Sequence, residues 1–179
     1  MFMAIGMVHL HFVLLSDMLT IRPATEKDQE AIMDIYNEAV ENTTATFDTE
    51  KRTAEKQFAW FRNHKHNHPV IVAEENGIIT GWASLSAWSE RCAYDGTVEV
   101  SVYIHHEHRG KGIGKKLLEL ITLEGKKVKN HSVISRISEG NEISIHIHEQ
   151  LGYRHIGVMK EAGMKFGKYI DVYLMQYLY

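Results

Sequence analysis

Cysteine, proline and excess positive charge are scarce in this sequence, and each shortage excludes something. A single cysteine, Cys92, cannot form an internal disulfide, so we expect a reducing, cytoplasmic location. No base motif accompanies this thiol, so a packing or surface role is expected for it. With only two prolines, the chain has no proline-rich linker. Twenty basic residues against 23 acidic ones give a net charge of -3, which excludes the basic field of a nucleic-acid-binding protein.

The most apolar stretch stands at the start of the chain. Residues 1–17, MFMAIGMVHLHFVLLSD, carry no lysine or arginine before the apolar run and no small-residue cleavage site. The run is also too short to span a bilayer. We therefore expect an N-terminal extension, flexible or packed on a partner, and no membrane partner. The domain is expected to comprise residues 18–179, with Met18 as its natural start.

Hydrophobic periodicity predicts alternating strands and helices in a single domain. Strands are expected at 19–23, 97–104, 131–138 and 169–179, with a hairpin turning at Asn76 and Gly77. Helices are expected after Thr25, Thr53 and the glycine-rich segment at 108–114, and from Asn141 to Gly152. These elements predict an α/β (α+β) fold with a mixed, mostly antiparallel central sheet flanked by helices.

The segment HRGKGIGKKLLE, residues 108–119, places Gly110, Gly112 and Gly114 at alternate positions before a helical pattern of leucines. We expect these glycines in the first turn of the helix, where unpaired amides attract anions. The spacing fits neither the dinucleotide motif G-x-G-x-x-G nor the P-loop G-x-x-x-x-G-K-[ST]. A helix entry without a ligand is the alternative, although such an entry needs fewer glycines.

What remains, Arg109-x-x-Gly112-x-Gly114, resembles the pyrophosphate loop of the GNAT superfamily of acetyl-CoA-dependent N-acetyltransferases. The resemblance covers residues 18–179 and is closest to the phosphinothricin and methionine sulfoximine acetyltransferase branch, through segments 91–104, 108–114 and 141–153. It implies a GNAT-like fold, a homodimer, acetyl-CoA as co-substrate, and direct transfer of acetyl to a small amino-acid-like amine within a ternary complex. A protein or peptide N-acetyltransferase and a non-enzymatic acyl-CoA-binding module are the alternatives.

The resemblance also implies which residues bind acetyl-CoA. The backbone of one strand pairs with the pantetheine arm, the glycine loop wraps the pyrophosphate, and the following helix supplies further contacts. In that order these are Val102, Tyr103 and Ile104; Arg109, Gly110, Lys111, Gly112, Ile113, Gly114 and Lys115; and Asn141 and Ser144.

Three residues are implied in catalysis. Glu99 matches the family's general base, often acting through water, and a water-poor setting would make its carboxylate a stronger base. His148 stands where many relatives have a tyrosine that acts as general acid. Either His148 or Tyr153 is expected to protonate the leaving thiolate, and His148 has two other readings, a satisfied helix histidine or an aid to the base. Without its family context, Glu99 is expected to be a strand residue that faces solvent or pairs with a lysine.

For the acceptor pocket the resemblance implies Phe47, Arg91 and Tyr94, with Arg91 pairing with a substrate carboxylate. Each has a plain structural alternative: Phe47 as a core side chain, Arg91 as a solvated loop charge and Tyr94 as a packing aromatic.

The twelve histidines raise the question of a metal. Those at 105, 106 and 108 are clustered, and those at 146 and 148 are two apart, but no H-E-x-x-H or Cys/His ligand set is present. Positions i and i+2 of a helix do not face each other. We therefore expect no metal cofactor.

Overall fold

The computed structural model describes residues 19–64 and 66–179, so the expected extension and Met18 lie outside the described residues. The described chain forms the strands β1 (Leu19–Pro23), β2 (Val70–Glu75), β3 (Ile78–Ala87), β4 (Thr97–Ile104), β5 (Ser132–Ser138), β6 (Arg154–Lys165) and β7 (Lys168–Leu178). Its α-helices are α1 (Gln29–Asn42), α2 (Ala54–Asn63), α3 (Ile113–Lys127) and α4 (Glu142–Gln150).

The strands form one seven-stranded sheet in the order β1-β2-β3-β4-β5-β7-β6. Strands β4 and β5 run parallel, and the other neighbours in the sheet pair antiparallel. The expected mixed, mostly antiparallel sheet in a single α/β domain is thereby confirmed. No helix within the described part of the chain is long and apolar enough to cross a membrane.

The alternation of side chains along β2 explains the layering of the domain. Val70 and Val72 point to one face, where they pack with Ile32 and Ile35 of α1. Ile71 and Ala73 point to the other face and join the core that includes α3. The sheet is therefore covered on both faces, with α1 on one side and α3 on the other.

Capping residues fix where three of the helices begin. The backbone N–H of Thr25 donates to the Asp28 carboxylate at 2.7 Å in a capping box that leads into α1 through a short 3-10 turn. Thr53 Oγ1 accepts a hydrogen bond from the Lys56 backbone at the start of α2, and the Asn141 side chain does the same for α4. The predicted helix starts at these residues are confirmed.

Strand β6 is the element that the sequence did not predict. Its residues RHIGVMKEAGMK show no period-two alternation, which is the usual sign of a strand. It lies at the edge of the sheet, most of its side chains are exposed, and its register with β7 shifts twice. Backbone pairing to β7, rather than burial of an apolar face, therefore holds this strand in place.

Candidate active site

The site begins where β4 and β5 separate. Their parallel register contains three residue pairs, the last of which is Glu99 with Ile134. Beyond this pair β5 continues to pair with β7, while β4 continues to pair with β3. The two strands thus leave a splay between them, and the edge of β4 from Val100 to Ile104 faces that opening rather than β5.

Two cavities meet at the splay. The first, which we call the strand cavity, has a volume of about 440 Å³ and includes Glu99, Ser135 and Arg136 in its wall. The second, the loop groove, has a volume of about 590 Å³ and runs to the glycine loop. They share seven lining residues, which are Thr44, Ala45, Val102, Tyr103, Asn141, Ser144 and His148. A ligand with two parts can therefore extend from one cavity into the other.

The glycine loop closes the far end of the loop groove. Gly110 and Gly112 have φ values of 78° and 80°, the left-handed region that favours glycine. Helix α3 starts at Ile113, with Gly112 as its N-cap. Only Gly114 lies in the first turn, so the expectation that all three glycines lie there is wrong: left-handed backbone at Gly110 and Gly112 cannot be part of a right-handed helix.

Unpaired amides and cations surround this end of the groove. The first amides of α3 have no acceptor within the helix and carry the positive end of its dipole. Lys115 lies in the groove wall, with its Nζ donating to the Gln150 side chain at 2.8 Å. Lys111 lies on the same loop, with Nζ 3.7 Å from a Glu75 carboxylate oxygen. The arrangement is suited to a phosphate group.

Arg109 attaches the start of the glycine loop to the end of β4 and to α1. Its Nε donates to the carbonyl of Ile104 at 3.2 Å, and its Nη2 donates to Glu38 at 2.7 Å. Val102, Tyr103 and Ile104 line the groove beside it. The structure therefore brings these three strand residues together with the glycine loop, as the sequence predicted.

Asn141 and Ser144 line both cavities. Asn141 is the N-cap of α4, and its side-chain oxygen accepts a hydrogen bond from the Ser144 backbone at 3.2 Å. Capping thus fixes both residues at the wall of the splay.

Glu99 forms a two-pronged ion pair with Arg136. The Nε and Nη2 atoms of the guanidinium each donate to a different carboxylate oxygen at 2.6 Å. The Glu99 side chain is 19% exposed to solvent. Glu99 therefore lines the strand cavity with both of its carboxylate oxygens bonded to a cation, an arrangement close to the alternative of a strand glutamate paired with a lysine.

His148 is buried, with hydrogen bonds to both ring nitrogens. Nδ1 lies 2.7 Å from the Ser144 carbonyl, which can only accept, so Nδ1 carries the proton. Nε2 then accepts from the Ser135 hydroxyl at 2.9 Å. Burial lowers the pKa of the His148 imidazole and keeps it neutral. The ring borders both cavities, yet this arrangement aims no proton into them and favours the alternative of a satisfied helix histidine.

Tyr153 is not brought to the splay. It is 2% exposed, and its hydroxyl donates at 2.8 Å to Thr122 Oγ1, whose own proton goes to the Leu118 carbonyl. Burial raises the pKa of the Tyr153 phenol. It lies in the core beneath α3 and borders neither cavity, so the structure gives no support to its expected role as a proton donor.

The loop at 43–48 forms a wall of the strand cavity and is anchored from three sides. The Tyr36 hydroxyl donates to Asp48 at 2.6 Å, and Thr44 lies within 3.2 Å of Ser138 between their hydroxyl oxygens. The Lys165 ammonium, on a residue only 4% exposed, donates to the Thr46 carbonyl at 2.7 Å. Burial lowers the pKa of Lys165. This loop therefore depends on a cation from the end of β6.

Phe47 lies in this wall, as predicted. A Cβ built on Gly163 would come within 2.5 Å of the Phe47 ring, so the close approach of β6 to the loop requires glycine. Arg91 and Tyr94 are exposed on the connection between β3 and β4 and border neither cavity. Within one chain, the structure does not bring these two together with Phe47.

Two arginines line the strand cavity, and the sequence analysis singled out neither. The Arg52 guanidinium lies 4.0 Å from the Tyr36 ring centre and 5.0 Å from that of Trp60. Arg136 interrupts the otherwise uncharged strand SVISRIS. A charge in such a strand was the available signal, but its partner Glu99 depends on a strand pairing that no local pattern shows.

The histidines do not form a metal site in the described residues, where no three histidine, cysteine or acidic side chains are grouped to hold an ion. The rings of His105 and His106 stack at 4.5 Å, and His108 Nδ1 lies 3.1 Å from Glu75. Stacking and ion pairing therefore account for the cluster.

Comparison with known proteins gives a consistent result. A profile of the acetyltransferase (GNAT) domain matches residues 21–174. The chain is 38% identical over 159 residues to the L-amino acid N-acyltransferase MnaT of Escherichia coli K12, covering 88% of this chain and 92% of the relative. It is likewise 38% identical to an L-methionine sulfoximine/L-methionine sulfone acetyltransferase of Salmonella typhimurium, with 88% and 93% covered.

A solved structure supports the same relationship. A GNAT superfamily phosphinothricin acetyltransferase from Sinorhizobium meliloti, in complex with acetyl-CoA, superposes with a TM-score of 0.86 at 34% identity. The match covers 89% of this chain and 88% of that one.

Proposed function

Because the chain belongs to the acetyltransferase (GNAT) family and is an acetyl-CoA-dependent N-acetyltransferase, we propose that its acceptor is the amine of a small amino-acid-like molecule of the methionine sulfoximine or phosphinothricin type. Transfer occurs by direct attack of that amine on the thioester while both substrates are bound. No acyl-enzyme intermediate forms.

Acetyl-CoA lies in the loop groove. Its pyrophosphate binds the amides of residues 112–115, near the Lys111 and Lys115 ammonium groups. The pantetheine arm then runs along the free edge of β4, as an added strand would, beside Val102 and Tyr103. This course brings the thioester to the splay, where the groove meets the strand cavity.

The acceptor occupies the strand cavity, where Glu99 acts on its ammonium group. Glu99 accepts one ammonium proton, directly or through a water, and the free amine attacks the thioester carbonyl. The attacking nitrogen then releases its second proton to solvent water, and the tetrahedral intermediate collapses to the amide and the CoA thiolate. Because a thiol has a pKa near 8.5, the thiolate leaves without an acid held against it and takes its proton from water. No proton from His148 or Tyr153 is required.

The observation that carries the proposal is the pairing of charges in the strand cavity. Its wall holds two carboxylates, Asp48 and Glu99, and two guanidinium groups, Arg52 and Arg136. A zwitterion presents both signs of charge in a small volume, and about 440 Å³ suits a small molecule. A homodimer and a cytoplasmic location stay predictions.

The test is a thiol-release assay with acetyl-CoA and three acceptors, together with a blank that contains no amine. The acceptors are L-methionine sulfoximine, phosphinothricin and a short peptide with a free N-terminus. Rapid release with the amino acids, with N-acetylated products identified by mass spectrometry, is the expected result. Thiol release with the peptide but not with the two amino acids would favour the protein N-acetyltransferase alternative. Acetyl-CoA binding without transfer to any amine would contradict the proposal.

A further inference from the structure

We propose that Arg136 recognises the α-carboxylate of the acceptor and that this exchange of partners releases Glu99 to act as base. The inference rests on the proposed function and narrows its substrate class to α-amino acids. It begins from one feature of the strand cavity: the expected base is occupied by the guanidinium beside it.

The position of Arg136 follows from the strand register. Ile134 lies directly opposite Glu99 in the parallel pair β4–β5, and side chains two residues apart point to the same face of a strand. Arg136 therefore points to the face of the sheet that Glu99 occupies, one step into the splay. From there the planar fork of Nε and Nη2 meets both carboxylate oxygens at 2.6 Å.

This pairing is unfavourable for a base as it stands. Each Glu99 oxygen already accepts a hydrogen bond from the guanidinium, so both oxygens are engaged. An anion that takes over Nε and Nη2 leaves both oxygens of Glu99 available to accept a proton from the acceptor. The anion required is one with the geometry of the Glu99 carboxylate itself.

Arg136 is the arginine of the strand cavity that can change partners most readily, because both of its hydrogen bonds run to the group that an acceptor carboxylate would replace. Its side chain is 51% exposed and rests 5.8 Å from the Trp88 ring centre. Arg52 lies against Tyr36 and Trp60, and its Nη1 donates to Gln57 at 3.0 Å. Arg109 belongs to the loop groove and pairs with Glu38. Arg136 is thus the guanidinium best placed to receive an anion in the strand cavity.

Because the Arg136 guanidinium and the Glu99 carboxylate are adjacent, the site favours an acceptor whose ammonium and carboxylate are also close together. An α-amino acid carries its ammonium and its carboxylate on the same carbon atom, so its carboxylate can face Arg136 while its ammonium faces Glu99. The carboxylate can replace Glu99 on the guanidinium while the ammonium faces Glu99. One proton then moves from the ammonium nitrogen to a Glu99 oxygen, and the nitrogen lone pair forms the new bond to the acetyl carbon as the carbonyl π electrons move to oxygen. The second N–H proton passes to solvent, and the C–S bond breaks to release the CoA thiolate. An amine without an adjacent anion cannot displace Glu99 from Arg136, so the ion pair stays intact.

The experiment compares two acceptors, L-methionine sulfone and its α-carboxamide, in thiol-release assays with saturating acetyl-CoA. The carboxamide keeps the side chain and the α-amine but removes the negative charge. The proteins are the wild type, Arg136→Gln and Arg136→Lys. Arg62→Gln is the matched control, since Arg62 lies over Phe58 on α2, away from both cavities.

The quantity of interest is the ratio of kcat/KM for the acid to kcat/KM for the amide. We expect the wild type and Arg62→Gln to prefer the acid by tenfold or more. Arg136→Gln should reduce this ratio at least tenfold, and Arg136→Lys should lie between, because it keeps the charge but loses the fork. Comparing ratios cancels the different basicities of the two acceptor amines.

Arg91→Gln tests the alternative that Arg91, and not Arg136, binds the carboxylate of the acceptor. A collapse of the ratio in that variant, with the ratio kept in Arg136→Gln, would assign recognition to Arg91 and overturn the inference. So would a wild type that shows no preference for the acid, whether or not the variants fold. Absence of thiol release from the wild type with both acceptors and with the amino acids named above would instead contradict the proposed function.

Discussion

The loop groove and the strand cavity meet at one splay but are built in different ways. The anion-binding end of the groove uses mainly backbone, supplied by consecutive residues at 109–115. The strand cavity uses side chains from α1, α2, α4, five strands and the loop at 43–48. The first is therefore fixed by local conformation, and the second by how distant segments pack. Substitutions in the groove should therefore change acetyl-CoA binding, and substitutions in the strand cavity should change how the acceptor is used.

The largest expected effect is on turnover, from Glu99→Gln. The nearly isosteric amide cannot accept the ammonium proton, so kcat should fall about 10²- to 10⁴-fold, the range for losing a general base. Acetyl-CoA affinity should be unchanged, because Glu99 lies outside the loop groove. Rates measured against pH for one acceptor test this.

The pH profile gives the outcome that would contradict this role. The variant should recover as pH rises toward the pKa of the acceptor amine, because free amine is then supplied by solution. The wild-type rate should also increase with pH, but its increase should lie at lower pH than that of the variant, because the enzyme's own base controls it. Parallel profiles with similar rates would show that Glu99 is not the base.

Gly112→Val should act on the other region. A valine at φ 80° is strained, and the distorted amides should weaken acetyl-CoA binding at least tenfold, about 1.4 kcal/mol. Gly167→Val is the matched control, because Gly167 has φ 75° in the β6–β7 turn and borders neither cavity. The control should lose stability without losing affinity in calorimetric titration. Unchanged affinity in a folded Gly112→Val would remove the glycine loop from the pyrophosphate site.

Lys165→Met should loosen the strand cavity while leaving the groove intact. It removes the donor to the Thr46 carbonyl, which anchors the loop at 43–48, and should raise the acceptor KM about fivefold, on the order of 1 kcal/mol. The KM for acetyl-CoA should stay the same. Lys160→Met is the control: Lys160 lies in the same strand but pairs with Asp171 at the surface. Equal effects of the two substitutions on the acceptor KM would show that the anchor does not matter.

The same contrast explains what the sequence could predict. The glycine loop and the N-caps Thr53 and Asn141 are local, so residue type and spacing were enough to place them. The pairing of Glu99 with Arg136 joins residues 37 positions apart through a strand register that only the folded sheet defines. Strand β6 was missed for a related reason, since its backbone pairing with β7 does not require an alternating pattern.

Tyr153→Phe should have the smallest effect on catalysis, although the sequence analysis named Tyr153, as an alternative to His148, as the proton donor. A proton donor would lose about 10²-fold or more in kcat on removal of its hydroxyl, whereas a buried core tyrosine should change kcat less than about twofold. Stability should fall by about 1 kcal/mol, since Thr122 Oγ1 loses the hydrogen bond that it accepts. Thr122→Val removes the same bond from the other side together with the bond to the Leu118 carbonyl, so it should lose more stability in urea unfolding while leaving turnover similarly unchanged. A large loss of kcat in a stable Tyr153→Phe, without a similar loss in Thr122→Val, would bring the phenol back into the mechanism. It would also require α4 and the following turn to move, because the hydroxyl now points away from the splay into the core beneath α3.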